Sequence, residues 1–315
     1  MRHRGPDGKE RAKTFKRKID AENWERSQDT AKQRGTWVDP SLAKQSFAAY
    51  VETWMRGQSH LAPTTGVKVR GHIDNHLLPA FGTSPLARID APQIRRWLAD
   101  TIESGRQPST VRGVHSTLSR ILKTATVDRV ICRNPCNDVS LPRDRQRIEK
   151  RFLSASEVHD LAGAIDDRYR ALIYLAAYSG LRWGEIAALK IENIELPRGR
   201  VSVVESLADV RGDLITQLPK SGKPRQVTLP QGVAQIVGEH IGRYSAGGYV
   251  FTSRDGLPLR RSNWYRRHYQ PAVKAAALGE GLRFHDLRHT AAALAIEAGA
   301  IPRRFRSEWA TQRSG

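Results

Sequence analysis

The chain has 315 residues, with Lys+Arg 52 against Asp+Glu 32, a formal charge of +20 and an isoelectric point near 10.5. That excess points to a polyanionic partner, with nucleic acid ahead of the plainer reading of a generally basic soluble protein. No apolar run approaches the roughly 18 residues of a membrane span and no signal-peptide core opens the chain. A cytoplasmic, reduced protein of two or three domains, without a membrane partner, is expected.

Residues 1–40 read as a small basic unit: a turn at Gly5-Pro6-Asp7-Gly8, a strand over 9–15, then a helix capped by Asp20 that runs through Trp24 to Gln33 and stops at Gly35. One strand and one helix do not make a stable domain, so a piece before Met1 or from a partner is expected to complete it. Residues 35–40 read as a linker.

Residues 41–138 read as a helical domain. Ala48, Val51 and Trp54 stripe its first helix, and Val67, Ile73 and Leu77 alternate with basic residues on the second, over 63–78. Asp90-Ala-Pro-Gln93 caps the third, which carries Ile94, Trp97 and Leu98. The fourth begins at Ser109-Thr110 and bears Val111, Val114, Leu118, Ile121 and Leu122. Lys68, Arg70, Arg112, Arg120 and Lys123 lie between these apolar positions and form either a solvated face or a DNA-facing one. Cys132 and Cys136 lack the further ligands that a metal site needs, so they are expected to be ordinary thiols.

Residues 139–152, rich in Pro, Arg and Asp, read as a linker, and the capping box Ser154-Ala-Ser-Glu157 opens a last domain over 153–315. A helix is expected over 168–179, with Leu172, Leu175, Ala176 and Ser179 on one face. Gly180 breaks it and Arg182 starts another, which sets a guanidinium beside a helix N-terminus whose backbone N–H groups also face anions; Glu185, one turn on, fixes its orientation. Residues 200–229 read as one three-stranded antiparallel sheet with turns at 209–212 and 220–224, and Lys220 stands at the second turn. Helices follow at about 231–243 and 261–277. The fold class is thus mainly α with small β-sheets, an α+β arrangement of a helical domain and a mixed one.

The run Phe284-His-Asp-Leu-Arg-His-Thr290 then opens an apolar helix over 291–300. His285 and Arg288, three residues apart, share one helical face, so an imidazole and a planar guanidinium fork converge on one anion. A metal on His285 and His289 would need an acidic or Cys partner that does not follow, and no cofactor is expected. Arg182, Lys220, His285 and Arg288 together form a kit for phosphoryl transfer without metal. Two arginine forks hold the non-bridging oxygens as charge grows, each contact worth about 3 to 4 kcal/mol of barrier, and the lysine protonates the leaving 5′ oxygen.

The box Gly-Leu-Arg-x-Gly-Glu at 180–185, the turn Lys220, and His285-x-x-Arg288, in this order, resemble the tyrosine recombinase (phage integrase) family. The resemblance covers nearly the whole chain, with Gln107-Pro-Ser-Thr-Val and Arg133-Asn-Pro matching the start and end of the last helix of the family's core-binding domain. It implies a C-shaped clamp on duplex DNA at attachment-type sites, strand cleavage through a 3′-phosphotyrosine, four protomers at a crossover, and accessory DNA-bending or directionality factors. By motif match Arg182, Lys220, His285 and Arg288 take the catalytic roles, with Glu185 in support. Residues 1–40 resemble part of an arm-type DNA-binding domain, which usually has a strand before the Pro-Asp-Gly turn.

The tail departs from the pattern. The family continues after its second box with a Gly-His pair and a nucleophilic tyrosine, whereas this sequence holds no tyrosine beyond Tyr269. A reading frame slipped by one nucleotide shortly after Ala300 would explain both departures. Trp309 is encoded by TGG and every alanine codon begins GC, so the shifted frame across Trp309 and Ala310 must encode glycine. Among the permitted codon choices, 303–315 then encodes Ala-Val-Gln-Ile-Arg-Met-Gly-His-Ala-Thr-Ile-Gly, the family's missing segment. The chain is therefore expected to be truncated or frameshifted at its end and to lack activity. The gene's own nucleotides test this, and a stop in the shifted frame before any tyrosine sinks it. An integrase remnant that binds DNA without chemistry is the alternative, while an ordinary helix-turn-helix regulator explains the charge but not the Arg, Lys and His-x-x-Arg set.

Overall fold

The computed structural model describes residues 1–5, 8, 10–33, 37–38, 44–141 and 151–299, and it falls into two compact units, Met1–Arg147 and Ile148–Gly315. Most of the chain is helical, with small antiparallel sheets, in agreement with the α+β fold class.

In the first unit β1 (Arg2–Arg4) pairs antiparallel with β2 (Glu10–Ala12), in the register Arg2 with Ala12 and Arg4 with Glu10. The sequence predicts one strand here; the residues before the turn supply a second, because Gly8 N–H bonds back to the Gly5 carbonyl at 3.0 Å and reverses the chain. Helix α1 (Lys18–Gln33) starts before Asp20, whose carboxylate takes two 3.1 Å hydrogen bonds from Arg17 rather than capping the helix. Trp24 gathers His3 and Phe15 at ring distances of 5.7 and 5.5 Å, and this small cluster holds helix to sheet. The stop expected at Gly35 lies outside the described residues.

The helical core follows: α2 (Phe47–Arg56), α3 (Pro63–His72), α4 (Leu78–Phe81), α5 (Ala91–Glu103) and α6 (Pro108–Val127). The buried stripe of α2 is Phe47, Tyr50, Val51 and Trp54 rather than one led by Ala48. Between α3 and α4 the backbone takes a π-helical turn, Ile73–Leu77, which keeps Ile73 and Leu77 in the core and leaves Val67 exposed. Pro79 stands two residues past that turn, and a second π turn, Tyr265–Tyr269, precedes Pro271 at the same distance. Proline has no N–H for the carbonyl four residues back and its ring crowds that carbonyl; a widened turn relieves both. Asp90 caps α5 by accepting from Gln93 N–H at 2.9 Å, as its sequence predicts. After α6, the Asn134 amide binds the Ser119 carbonyl at 2.9 Å while its oxygen accepts from Cys136 N–H at 3.0 Å, so Asn134 staples the chain back onto the helix. Burial pushes the Cys136 thiol up to about 12, and Cys132 is an exposed free thiol.

Most of the segment expected as a linker, 142–150, lies outside the described residues. The second unit opens with the capping box: Ser154 N–H donates to Glu157 at 2.8 Å and Glu157 N–H to Ser154 Oγ at 3.2 Å, starting α7 (Ala155–Ala164). Helix α8 (Asp167–Ser179) is buried on every side from Ala171 to Ala177, not on one face, because α7 and two later helices surround it. Then come α9 (Trp183–Ala187), β3 (Ile194–Glu195), β4 (Arg200–Val203), β5 (Ser206–Val210), β6 (Asp213–Gln217) and β7 (Arg225–Thr228).

These strands form two sheets where one is expected. A tight turn through Arg211 and Gly212, both at positive φ, closes β5 onto β6, so that hairpin satisfies itself. β4 pairs instead with β3 on one side and β7 on the other. The rest is α10 (Gln231–Tyr244), α11 (Arg261–Trp264), α12 (Gln270–Ala275) and α13 (Phe284–Glu297), with α10 and α13 completing the wall around α8. Trp183, Trp264, Tyr269 and Phe284 interlock at ring distances of 4.8 to 5.7 Å and fix the starts of α9 and α13 against each other.

Candidate active site

The C-terminal end of α8 organises the site. Gly180 sits in the left-handed region (φ 65, ψ 21) and turns the chain so that its carbonyl faces α13. Arg288, a buried residue on α13, donates from its guanidinium to that carbonyl. Arg288 is thereby fixed at the point where α8 ends, and Arg182 follows two residues later.

Glu185 is the anchor of Arg182, and its side chain is 1% exposed. Its carboxylate accepts from the Arg182 backbone N–H at 2.8 Å and from the Arg182 guanidinium at 3.2 Å. The helix start expected at Arg182 is found: Arg182 is the N-cap of the five-residue α9, and Glu185 takes the Arg182 backbone N–H. Arg225, at the start of β7, adds two parallel bonds to the same carboxylate, at 2.9 and 2.7 Å. Burial alone would raise the Glu185 carboxyl, but the Arg225 hydrogen bonds, the Arg182 N–H and both guanidinium charges hold it below the usual carboxylate range. The sequence reading missed Arg225, since a lone arginine after a turn carries no local pattern.

Helix α13 begins on the His285 motif itself. Asp286, buried, accepts from Arg283 N–H at 2.8 Å and closes the helix start. His285 is exposed beside it, its ring edge-to-face with His289 at 5.3 Å. Partial burial, then the charges of His289, Arg288 and Arg182, outweigh the opposing pull of Asp286 and hold His285 below the usual imidazole range. Arg182, Glu185, His285 and Arg288 therefore share one neighbourhood. Lys220 stands exposed in the segment between β6 and β7, and among the described residues no hydrogen bond or ion pair draws it to the arginines. An open cleft of about 730 Å³ adjoins His285 and is lined by Asp209, Arg261, Ser262, Tyr265 and Arg283. Among the described residues no group of three or more His, Cys, Asp or Glu could hold a metal ion, and no helix is long and apolar enough to cross a membrane.

The basic helices of the first unit differ in how exposed their cations are. Lys68, Arg120 and Lys123 are exposed, whereas Arg112 is half-buried. Burial and then the charges of Lys68, His76 and Arg120 lower His72, which sits 2.8 Å from Thr117 Oγ1, so α3 and α6 bring these groups together. Arg70 is clamped between Asp74 and Glu52, each at 2.9 Å. The 300–315 tail, on which the missing tyrosine and the slipped frame rest, lies outside the described residues.

Residues 47–141 match the phage integrase central domain and residues 151–305 the phage integrase family. The chain is 30% identical over 312 residues to the prophage phiRv2 integrase of Mycobacterium tuberculosis, covering 94% of this chain and 81% of that one. It is 27% identical over 311 residues to the integrase of Mycobacterium phage D29, covering 91% and 79%. In fold it is similar to the Tn1549 transposon integrase in complex with transposon right end DNA, at TM-score 0.73 and 18% identity over 83% of this chain and 90% of that one. A lambda integrase tetramer bound to a Holliday junction gives TM-score 0.65 at 18% identity, over 93% and 88%. With this similarity running through both units, and with Arg182 and the His285-x-x-Arg288 helix meeting at the end of α8, the chain belongs to the phage integrase family of tyrosine recombinases.

Proposed function

We propose that this polypeptide is a site-specific recombinase of the integrase type that grips a phosphodiester of duplex DNA but does not cut it. The observation that carries this reading is the fixing of Arg182 and Arg288 at the two sides of the Gly180 turn, one through Glu185 and one through the Gly180 carbonyl. Two guanidinium forks presented from buried anchors suit the non-bridging oxygens of one phosphate, where charge develops during transfer. His285, held neutral near pH 7, is a third hydrogen-bonding partner. Lys220, on an exposed segment that bound DNA can reach, is the proton donor for the 5′ oxygen as the phosphorus–oxygen bond breaks.

The reaction also needs a nucleophile. Tyr269, the last tyrosine of the sequence, is fully buried, and burial pushes its hydroxyl up, so it does not attack phosphorus. A polypeptide of this sequence is accordingly a DNA-occupying protein without a chemical step, which is how an integrase remnant at an attachment site would behave.

Residues 1–40 serve as an arm-type DNA-binding unit, 41–138 as the core-type unit, 139–152 as the linker and 153–315 as the catalytic unit, all acting on duplex DNA. A homotetramer on synapsed attachment sites, cytoplasmic placement and accessory DNA-bending or directionality factors belong to the same reading. The lambda and Tn1549 integrases, whose structures are DNA complexes, support it.

A nicked suicide duplex carrying attachment sequence tests it. The expected result is a retained, salt-sensitive complex with no covalent adduct. A protein trapped on the 3′ phosphate, mapped by peptide sequencing to any residue of this chain, overturns the absence of chemistry. Equal binding by the chain and by an Arg182→Ala, Arg288→Ala double variant overturns the phosphate pocket.

A further inference from the structure

We infer that Arg225 is a positioning residue: by occupying Glu185 it keeps Arg182 available to a phosphate. The inference rests on the role proposed above for Arg182 and goes beyond it, because Arg225 need not touch DNA.

Glu185 is a buried carboxylate shared by two guanidinium groups, and the sharing is unequal. Arg225 makes two parallel bonds at 2.9 and 2.7 Å, whereas the Arg182 side chain makes one at 3.2 Å. Charge-assisted bonds shorten as they strengthen, and a paired guanidinium–carboxylate contact is the strongest arrangement of the set. The single negative charge is therefore matched mainly by Arg225. Arg182, whose side chain is 26% exposed against 16% for Arg225, keeps the larger share of its field directed outward.

Without Arg225 the two carboxylate oxygens lose their main partner in a place that water hardly reaches. A buried carboxylate in that state draws the nearest cation fully onto itself. That cation is Arg182, already 3.2 Å away, and a bidentate Arg182–Glu185 pair is neutral and turned inward. The loss passes through Glu185, so the effect of removing Arg225 depends on whether residue 185 carries a charge. Arg225 also opens β7 directly after the segment that carries Lys220, so the same bond ties the foot of that segment to the Arg182 turn.

The test is a titration of the full chain with sodium orthovanadate, a phosphate mimic, followed through the His285 ring signals by NMR, with thermal melting of each variant alongside. The parent chain binds and Arg182→Ala weakens binding tenfold or more. Arg225→Ala weakens it about tenfold and Arg225→Lys, which restores one bond, by less. In a Glu185→Gln background, Arg225→Ala changes affinity by less than twofold, since no buried charge is left to capture Arg182. If Arg225→Ala alone fails to fold, Arg225→Lys takes its place in both backgrounds and the same contrast is read. Equal losses from Arg225→Ala in both backgrounds overturn the inference, as does no loss in either. A parent chain that ignores vanadate, or an Arg182→Ala chain that binds like the parent, removes the phosphate pocket and the inference with it. If only the Arg225 variants misbehave, the pocket stands and the inference alone falls.

Discussion

Leu153 and Thr290 stand 137 positions apart, yet the Leu153 backbone N–H donates to Thr290 Oγ1 at 3.1 Å in the buried core of the second unit. The same hydroxyl donates to the Asp286 carbonyl at 3.1 Å, so one side chain ties the first residues of this unit to the helix that carries His285 and Arg288. Thr290→Val keeps the shape and removes both bonds, leaving a buried N–H without an acceptor. A loss of about 1 to 3 kcal/mol is expected from urea unfolding, with Thr290→Ser close to the parent. A valine variant as stable as the parent would show that the tie carries no weight.

The turn at Gly180 makes a second prediction. An added Cβ would lie 3.4 Å from the Ala291 Cβ, and the positive φ disfavours any L side chain by about 1 to 2 kcal/mol. Gly180→Ala should therefore lower stability by that amount and weaken DNA binding further, because the carbonyl that holds Arg288 shifts with the turn. Melting temperature and DNA affinity measured on the same preparation check both, and an affinity loss no greater than that of an unrelated variant of equal stability would separate Gly180 from the pocket.

His285 gives DNA affinity a pH dependence. In the free chain partial burial and the cations His289, Arg288 and Arg182 hold its pKa down, opposed by Asp286. A phosphate seated among these groups brings negative charge and raises that pKa. Bound chain then carries more protons than free chain, so affinity grows as pH falls through the interval between the two values and levels off below the free value. Gel-shift titrations from pH 8 to 5 should show this gain, and His285→Gln should flatten it; a parent curve as flat as the variant's would remove His285 from the phosphate.

The cations of the helical unit are separable by salt. Glutamine at Lys68, Arg120 or Lys123, all exposed, should each reduce the slope of log affinity against log salt by about 1, as expected when a single cation no longer neutralises a phosphate. Arg70→Gln should change it less, because Asp74 and Glu52 already hold that guanidinium and, with Asp74 first, raise its pKa. Equal slopes for all four variants would contradict that distinction.

What could be read from the sequence follows the range of the contacts involved. The Ser154–Glu157 box, the Asp90 cap and the Gly180 break are made by neighbours within one turn, so residue type and spacing specify them. The His285–Arg288 pair is legible for the same reason. The Arg225–Glu185 contact joins residues 40 positions apart and depends on β7 pairing with β4 across an intervening hairpin, a choice that strand patterns leave open. The full burial of α8 is equally hidden, since Ala171 to Ala177 is apolar on all sides and only the helices around it decide which side is core. The two π turns are foreshadowed only by Pro79 and Pro271 standing inside helical patterns.

The unequal anchoring of Arg288, Arg225 and Lys220 decides what the loss of each would cost the folded chain. Arg288 and Arg225 hold buried polar groups, so losing either harms folding before it harms chemistry, while Lys220 is exposed and contributes little to the folded state. In a copy under selection for folding alone, drift would remove Lys220 freely but spare Arg288 and Arg225. Lys220→Ala should then unfold at the parent's denaturant midpoint and Arg288→Ala well below it. Arginines kept at the positions of Arg288 and Arg225 in a relative are thus a record of selection for folding, and its lysine is the better witness of recent catalysis.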